Sequence, residues 1–159
     1  MSYLRDHIKM VGEHFDNKLY QFIFKNGMDC QFDPARSFDI SPGVKQECYR
    51  NATLTALETS HLTFVEGYVT IYGVPISHAW LVDRTGLVFE PTLRPDDSVD
   101  RIAEYFGVPF KTEYVLKALK KNKVYGLLDP WHSKKTFMRM IEGKENFRAD
   151  IKVETGAAV

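Results

Sequence analysis

Cysteine is scarce in this chain of 159 residues, which contains only Cys30 and Cys48. Two cysteines are too few for a disulfide framework, so both thiols are expected to be free. The first residues lack the charged-then-apolar layout of a signal peptide, and no apolar stretch approaches the length of a membrane span. These absences predict a protein of the reducing cytoplasm with no membrane partner.

An excess of charge of either sign is also missing, because 21 basic residues balance 21 acidic ones. General nucleic-acid binders and basic membrane-surface proteins need excess positive charge, so this balance argues against both classes. The charge is unevenly spread, since residues 111–148 hold ten Lys or Arg against four Asp or Glu. This basic segment is either the solvated face of a helix or a surface for an acidic partner.

Signatures of bound metals and cofactors are absent from the sequence. The chain has no Gly-rich phosphate loop, no His-Glu-x-x-His and no Cys-x-x-Cys. His7 and His14 are seven residues apart without a third ligand nearby, which favours solvent-facing histidines over a metal site. We therefore expect neither a metal nor another cofactor.

Hydrophobic residues make up 44% of the chain, which is enough to fill the core of one domain spanning residues 1–159. Apolar residues at helical spacing predict an N-terminal helix over about 3–24, unless the Asp16-Asn17 pair interrupts it or residues 19–24 form a strand. Further helices are predicted over residues 45–58, 97–106, 112–121 and 133–142, strands over 62–72, 78–83 and 87–92, and a loose tail over 150–159. Helices that flank sequential strands indicate an α+β fold with an antiparallel sheet.

Cys48 lies near the start of the helix predicted over residues 45–58. Unpaired backbone N–H groups and the helix dipole stabilise negative charge at that position, so a thiolate there can act as a nucleophile. The alternative is an ordinary core cysteine. Cys30 lies in a loop-like stretch without a partner and is interpreted as an ordinary thiol.

His78 begins a strand whose alternation places it on one face with Trp80. A neutral imidazole beside a large aromatic ring suits a general base. The segment Arg84-Thr85-Gly86 predicts a three-residue hairpin connection with positive φ at its glycine, which places Glu90 opposite Trp80 and diagonal to His78. An inward-facing Glu90 needs a partner, and the imidazole N–H is the natural one. The alternatives are a histidine bonded at a strand end and a solvated edge carboxylate.

Four short blocks carry these residues in order: Cys48-Tyr-Arg-Asn-Ala52, Phe64-Val-Glu-Gly-Tyr68, His78-Ala-Trp-Leu-Val-Asp83 and Phe89-Glu-Pro-Thr92. Together they resemble the transglutaminase-like core of the papain-like cysteine-enzyme superfamily, over about residues 45–92. The resemblance implies a helix-borne cysteine packed on a small antiparallel sheet, followed here by C-terminal helices over about 97–143. It assigns the nucleophile to Cys48, the general base and acid to His78, and the acid that orients His78 to Glu90. Glu90 departs from the family pattern, which usually has Asp there.

The function implied is amide hydrolysis or acyl transfer through a Cys48 thioester, on a protein or peptide carboxamide. A peptidase, an amidase, a deamidase and a transglutaminase-like enzyme all fit this chemistry. The Cys48 backbone N–H and the Gln46 amide are candidates for an oxyanion hole, and Asn51 is either a secondary donor or a helix-packing residue. Tyr68 and Trp80 are expected to line the substrate cleft and shield it from water. The competing hypothesis is a non-catalytic binding module on the same scaffold.

Overall fold

A computed structural model describes residues 2–94, 102–129 and 132–152 of the chain. Its helices are α1 (Tyr3–His14), α2 (Lys18–Asn26), α3 (Cys48–Glu58), α4 (Thr112–Asn122) and α5 (Lys134–Ile141). Its strands are β1 (Met28–Cys30), β2 (Thr63–Ile71), β3 (Val74–Val82), β4 (Val88–Phe89) and β5 (Ile102–Phe110). These elements confirm the α+β class: the antiparallel strands form a curled half-barrel, and α3, which begins at Cys48, packs on it.

The strands are arranged in the order β1–β5–β2–β3–β4, and β2 and β3 pair along their full length as a hairpin. The sheet curls so strongly that its two edges meet. Gln31, which follows β1, forms a parallel bridge with Leu87, which precedes β4. The Gln31 N–H donates to the Gly86 carbonyl at 2.9 Å, and the Val88 N–H donates to the Gln31 carbonyl at 2.8 Å. The segments next to the two edge strands, β1 and β4, are therefore joined at Gln31 and Leu87, and the concave face of the sheet is closed there.

The sheet separates two hydrophobic clusters because its side chains alternate between faces. Phe64 and Tyr68 of β2 face the helices, in the larger cluster. Val65 and Val69 face the inside of the curl, in a smaller cluster. The buried members of this inner cluster are Met28, Cys30, Val65, Val69, Trp80, Val82, Val88 and Tyr105. His78 shares the strand face of Trp80 and so belongs to the inside of the curl.

The prediction of one N-terminal helix over about 3–24 is wrong, because α1 and α2 are separate helices. Asp16 interrupts the helical conformation, because its φ of 48° lies in the left-handed region. Asn17 then caps α2, since its side-chain oxygen accepts the Tyr20 N–H at 3.1 Å. The predicted interruption at Asp16-Asn17 is confirmed, and the alternative of a strand over residues 19–24 is wrong.

The helix predicted over about 97–106 is wrong for residues 102–106, which belong to β5; residues 97–101 lie outside the described residues. Gly107, of a residue type that often follows the end of a helix, lies inside the strand opposite Gly67. A Cβ added to Gly107 would approach the Trp80 indole and the Glu66 carbonyl oxygen to 2.8 Å each. Glycine is therefore needed for a close approach of strand and ring rather than for a helix end.

The other predicted elements differ from the structure mainly at their ends. The helix predicted from residue 45 begins only at Cys48, because Gln46 has a left-handed φ of 65°. The strand predicted over 87–92 shortens to β4, while α4 and α5 confirm the two last helices. Of the predicted tail, residues 153–159 lie outside the described residues. Within the described ranges, no helix combines the length and the apolar character needed to span a membrane.

Candidate active site

The connection between β3 and β4 sets the position of Glu90. Gly86 donates its N–H to the Asp83 carbonyl at 3.1 Å and has a φ of 85°, which confirms the predicted conformation of the turn. The strands then pair Leu81 with Phe89. This is the predicted register, and it brings the next residue, Glu90, to the strand face that carries Trp80 and His78.

His78 and Glu90 form a buried pair inside the curl, with exposed fractions of 5% and 0%. The distance from His78 Nε2 to Glu90 Oε2 is 2.8 Å. The same Oε2 accepts the Tyr105 hydroxyl at 2.9 Å, and Oε1 accepts the Thr92 and Leu93 N–H groups at 3.1 Å each. Because this carboxylate accepts from three other donors, we assign the proton of the shared contact to Nε2 of the histidine.

The pKa values of the pair move apart in the directions expected for an ion pair. Burial opposes the charge on Glu90, but the charge and hydrogen bond of His78, with bonds from Leu93 and Tyr105, outweigh it and lower the Glu90 pKa below 4.5. Burial likewise opposes the charge on His78, but Glu90 and Cys48 together raise the His78 pKa above its ordinary 6.5. The site therefore favours an imidazolium flanked by acceptors.

Cys48 lies half-buried at the start of α3, close enough to the His78 ring that its hydrogen bonding and charge raise the pKa of His78. Since Nε2 of the ring is held by Glu90, Nδ1 is the nitrogen left for the sulfur. The structure thus brings together thiol, imidazole and carboxylate in the order that the sequence predicted. Gln46, two residues before Cys48, is exposed, and its φ of 65° lies in the left-handed region. A strained turn therefore leads into α3.

Asn51 holds the loop before α3 against the segment after β4. Its side-chain oxygen accepts the Val44 N–H at 3.0 Å, and its amide donates to the Val44 carbonyl at 2.7 Å and to Thr92 Oγ1 at 2.9 Å. A Cβ on Gly43 would collide with the Asn51 amide. Both hydrogens of the amide are used in these bonds, so the geometry favours the packing alternative over the secondary donor.

Trp80 has no exposed surface and belongs to the interior of the curl. Its indole stacks on the His78 ring with centroids 6.0 Å apart and meets the Tyr105 ring edge-on at 5.0 Å. It therefore shields the imidazole from water by packing. Tyr68 points to the opposite face, where it stacks on Tyr20 at 5.0 Å and lines a cavity.

Two residues of the site were not predicted from the sequence. Tyr105, the fourth partner of Glu90, lies in β5, in the stretch wrongly assigned to a helix. Glu66 is a carboxylate 4% exposed in the middle of β2. Glu66 lies two residues from Phe64 and two from Tyr68, so it shares the apolar face of the strand with them. This spacing could have identified it as a buried carboxylate.

Cys30, the other thiol, lies in a different environment. It is buried inside the curl, where burial raises its pKa to about 12. A thiol of this kind stays protonated and inert at neutral pH. The structure therefore provides an internal reference for the reactivity of Cys48.

Among the described residues, no group of three or more His, Cys, Asp or Glu side chains is arranged to hold a metal ion. Comparisons of the chain with protein-family models, curated proteins and solved structures found no match.

Proposed function

We propose that this protein is a cysteine-dependent enzyme that hydrolyses a carboxamide or transfers its acyl group, with Cys48, His78 and Glu90 as the catalytic residues. The observation that carries the proposal is the 2.8 Å contact of the buried His78 ring with the Glu90 carboxylate, beside a Cys48 thiol that is near enough to raise the pKa of His78. A nucleophile bonded to a base that is oriented by a third group is the arrangement of nucleophilic catalysis.

In the first half of the reaction, the Cys48 proton passes to His78, the resulting thiolate attacks the carbonyl carbon, and the carbonyl oxygen takes the negative charge. The tetrahedral intermediate collapses when His78, as imidazolium, gives its proton to the departing amine, which leaves the acyl group on sulfur as a thioester. In the second half, His78 removes a proton from water or from an amine, which attacks the thioester and releases the thiolate. Glu90 holds the ring in place and stabilises its positive charge in both halves.

Main-chain donors at the start of α3 are suited to the oxyanion. The first N–H groups of a helix lack partners within the helix, and the Cys48 N–H is one of them. The Gln46 amide stays a second candidate, because its exposed side chain precedes Cys48 by two residues.

The transglutaminase-like core suggested by the sequence blocks belongs to the same proposal. Its support is the helix that begins at Cys48 and packs on antiparallel strands carrying His78. Glu90 in place of the usual Asp is compatible with the proposal, because its longer side chain is fixed at both oxygens.

Intact-protein mass spectrometry of acid-quenched mixtures tests the proposal. The protein is incubated with peptides that offer backbone, Gln and Asn carboxamides, with and without a primary amine. We expect an acyl adduct on Cys48 together with a hydrolysed, deamidated or amine-linked peptide. The Cys48→Ala variant should give neither, whereas Cys30→Ala should give both. Products that persist in Cys48→Ala would refute the mechanism, and the absence of any adduct or product with the whole panel would favour the binding module.

A further inference from the structure

A cavity of about 260 Å³ lies on the helix-facing side of β2 and β3, and its wall includes residues that follow Cys48 and precede His78 in the chain. Tyr49, the residue after Cys48, forms part of its wall, and so does Gly67, which pairs with His78 across β2 and β3. Ser77, the neighbour of His78, also lies on the wall. A substrate whose carboxamide reaches the sulfur would therefore have its neighbouring groups beside this cavity.

The wall formed by residues 125–129 is fixed to the sheet by one buried side chain. Glu66 of β2 accepts the Leu127 N–H at 2.7 Å and the Leu128 N–H at 3.0 Å. Tyr125 and Asp129, on either side of these two residues, line the cavity. The cavity is thus formed in advance, which lowers the ordering cost of binding.

Aromatic rings make up much of the lining, through Tyr49, Tyr68 and Tyr125. Tyr68 is held in place by its stacking on Tyr20. The face of an aromatic ring attracts a cation within about 6 Å of its centre, and more strongly where water is excluded. The lining therefore suits a group that combines an aliphatic stem with a positive charge.

The charged groups of the lining are acidic. Glu66 and Asp129 contribute carboxyl groups, and among the described residues no Lys or Arg lines the cavity. Two basic groups lie near its rim: His132 lies 2.6 Å from Asp129, and Arg50, which pairs with Glu47 at 3.0 Å, is near enough to Tyr125 for the tyrosine to raise its pKa.

The pKa of Tyr49, a residue of the cavity wall, reflects the acidic groups around it. Burial raises the pKa of Tyr49, and the nearby acidic groups of Glu66, Cys48, Tyr68 and Asp129 raise it further when they ionise. Neighbouring charges that oppose the anionic form of one group favour a cation in the same place.

We propose that this cavity is a specificity subsite for a positively charged aliphatic side chain, such as that of lysine or arginine, next to the carboxamide that Cys48 attacks. The inference rests on the proposed function, for which it names the substrate class. The cavity is smaller than the roughly 300–1,000 Å³ of sites for drug-sized ligands, which fits a single side chain.

Binding to the Cys48→Ala protein tests the subsite without any reaction. The probe is N-acetyl-lysine methylamide, compared in an NMR titration with its neutral analogue N-acetyl-norleucine methylamide. We expect the lysine probe to bind more tightly, by roughly fivefold or more, which is about 1 kcal/mol, because a hydrogen bond to a charged group outweighs one between neutral groups. Equal binding of both probes, or no binding of either, would overturn the inference.

Single substitutions test which carboxylate binds the ammonium group of the lysine probe. Asp129→Asn should weaken lysine-probe binding by roughly fivefold. His132→Gln should leave the binding unchanged or strengthen it, because it removes the contact of the His132 ring with Asp129. The matched control is Glu58→Gln, an exposed carboxylate at the far end of α3. If Asp129→Asn behaves like Glu58→Gln, the cavity is not the binding site.

A last measurement separates this inference from the proposed function. In the unmodified protein, the lysine probe should slow the alkylation of Cys48 by iodoacetamide more than the norleucine probe does. Lack of protection would overturn the placement of the subsite beside the sulfur. Probe binding to Cys48→Ala can persist if the protein proves non-catalytic, and catalysis without a preference for cationic substrates would refute the subsite alone.

Discussion

Tyr105 and His78 bind the same oxygen of Glu90 from strands that lie on opposite sides of β2. The Tyr105 hydroxyl reaches Oε2 at 2.9 Å and the His78 Nε2 reaches it at 2.8 Å. Two backbone N–H groups hold the other oxygen. The orientation of the imidazole therefore depends on β5 as well as on the hairpin that carries His78 and leads to Glu90.

Replacing Tyr105 by Phe should expose the contribution of the hydroxyl. The ring packing against Trp80 and Phe32 is kept, but the buried carboxylate loses one donor, at a cost of about 1–3 kcal/mol in unfolding free energy. We expect turnover to fall and its pH profile to shift, since Glu90 then holds His78 less firmly. Tyr3→Phe, at an exposed position, is the control. An unchanged pH profile with reduced stability would show that Tyr105 only packs.

Substitutions of Glu90 test whether its charge or its length matters. Glu90→Gln should preserve the fold but reduce turnover strongly, because an amide can donate to Nε2 and leave His78 in the wrong tautomer. Glu90→Asp restores the charge, so it should recover part of the activity despite a reach shortened by one methylene. Steady-state kinetics on both variants decide the matter. Equal activity of Gln and Asp variants would contradict the orienting role.

The buried Glu66 should make stability depend on pH. Burial raises its pKa to about 7 from 4.5, despite two backbone N–H donors, so the folded state keeps a proton that the unfolded state loses between these values. Its contribution to stability is full below pH 4.5 and declines up to pH 7, by roughly 3 kcal/mol at 1.36 kcal/mol per unit.

Urea unfolding of the unmodified protein and of Glu66→Gln, from pH 5 to 8, measures this effect. The unfolding free energy of the unmodified protein minus that of the variant should decrease with rising pH and level off above about 7. Titration of His78 is common to both proteins and cancels in the difference. A difference that stays constant across this range would contradict the raised pKa of Glu66.

The packing of Trp80 on the sheet is tested by Gly107→Ala. The new Cβ would lie 2.8 Å from the indole and from a backbone oxygen, so we expect a loss of about 2–4 kcal/mol. Gly73→Ala is the matched control, because Gly73 has a φ of 75° and nothing within 4 Å of the added Cβ. That change should cost only about 1–2 kcal/mol of backbone strain. Equal losses in denaturant unfolding would contradict the close contact with Trp80.

Local sequence signals predicted the relative position of His78 and Glu90, which the connection between β3 and β4 determines. The connection Arg84-Thr85-Gly86 has an odd length and a glycine where positive φ is needed, which determines the register and hence the side on which Glu90 lies. The helix start at Cys48 was predicted three residues too early, because the strained turn at Gln46 has no signature in residue type.

The contribution of β5 could not be predicted in the same way. Gly107 and Pro109 interrupt its apolar pattern and resemble helix-ending signals, although Gly107 serves the contact with Trp80. A long-range pairing of β5 with β2 and β1 forms this strand. Tyr105 and the cavity beside Cys48 depend on such distant contacts, and a linear pattern does not encode them.

The most direct test of the account is the pH dependence of iodoacetamide alkylation at Cys48 and Cys30, measured by peptide mass spectrometry in the unmodified protein and in His78→Ala. The account predicts that Cys48 reacts rapidly at pH 6, while buried Cys30 reacts slowly at every pH below its pKa of about 12. In His78→Ala, the Cys48 rate at pH 6 should drop by about tenfold or more and rise only near pH 8.5, as for an ordinary thiol. Slow reaction of both cysteines at pH 6, unaffected by His78→Ala, would contradict a nucleophile activated by His78 and would favour a binding module.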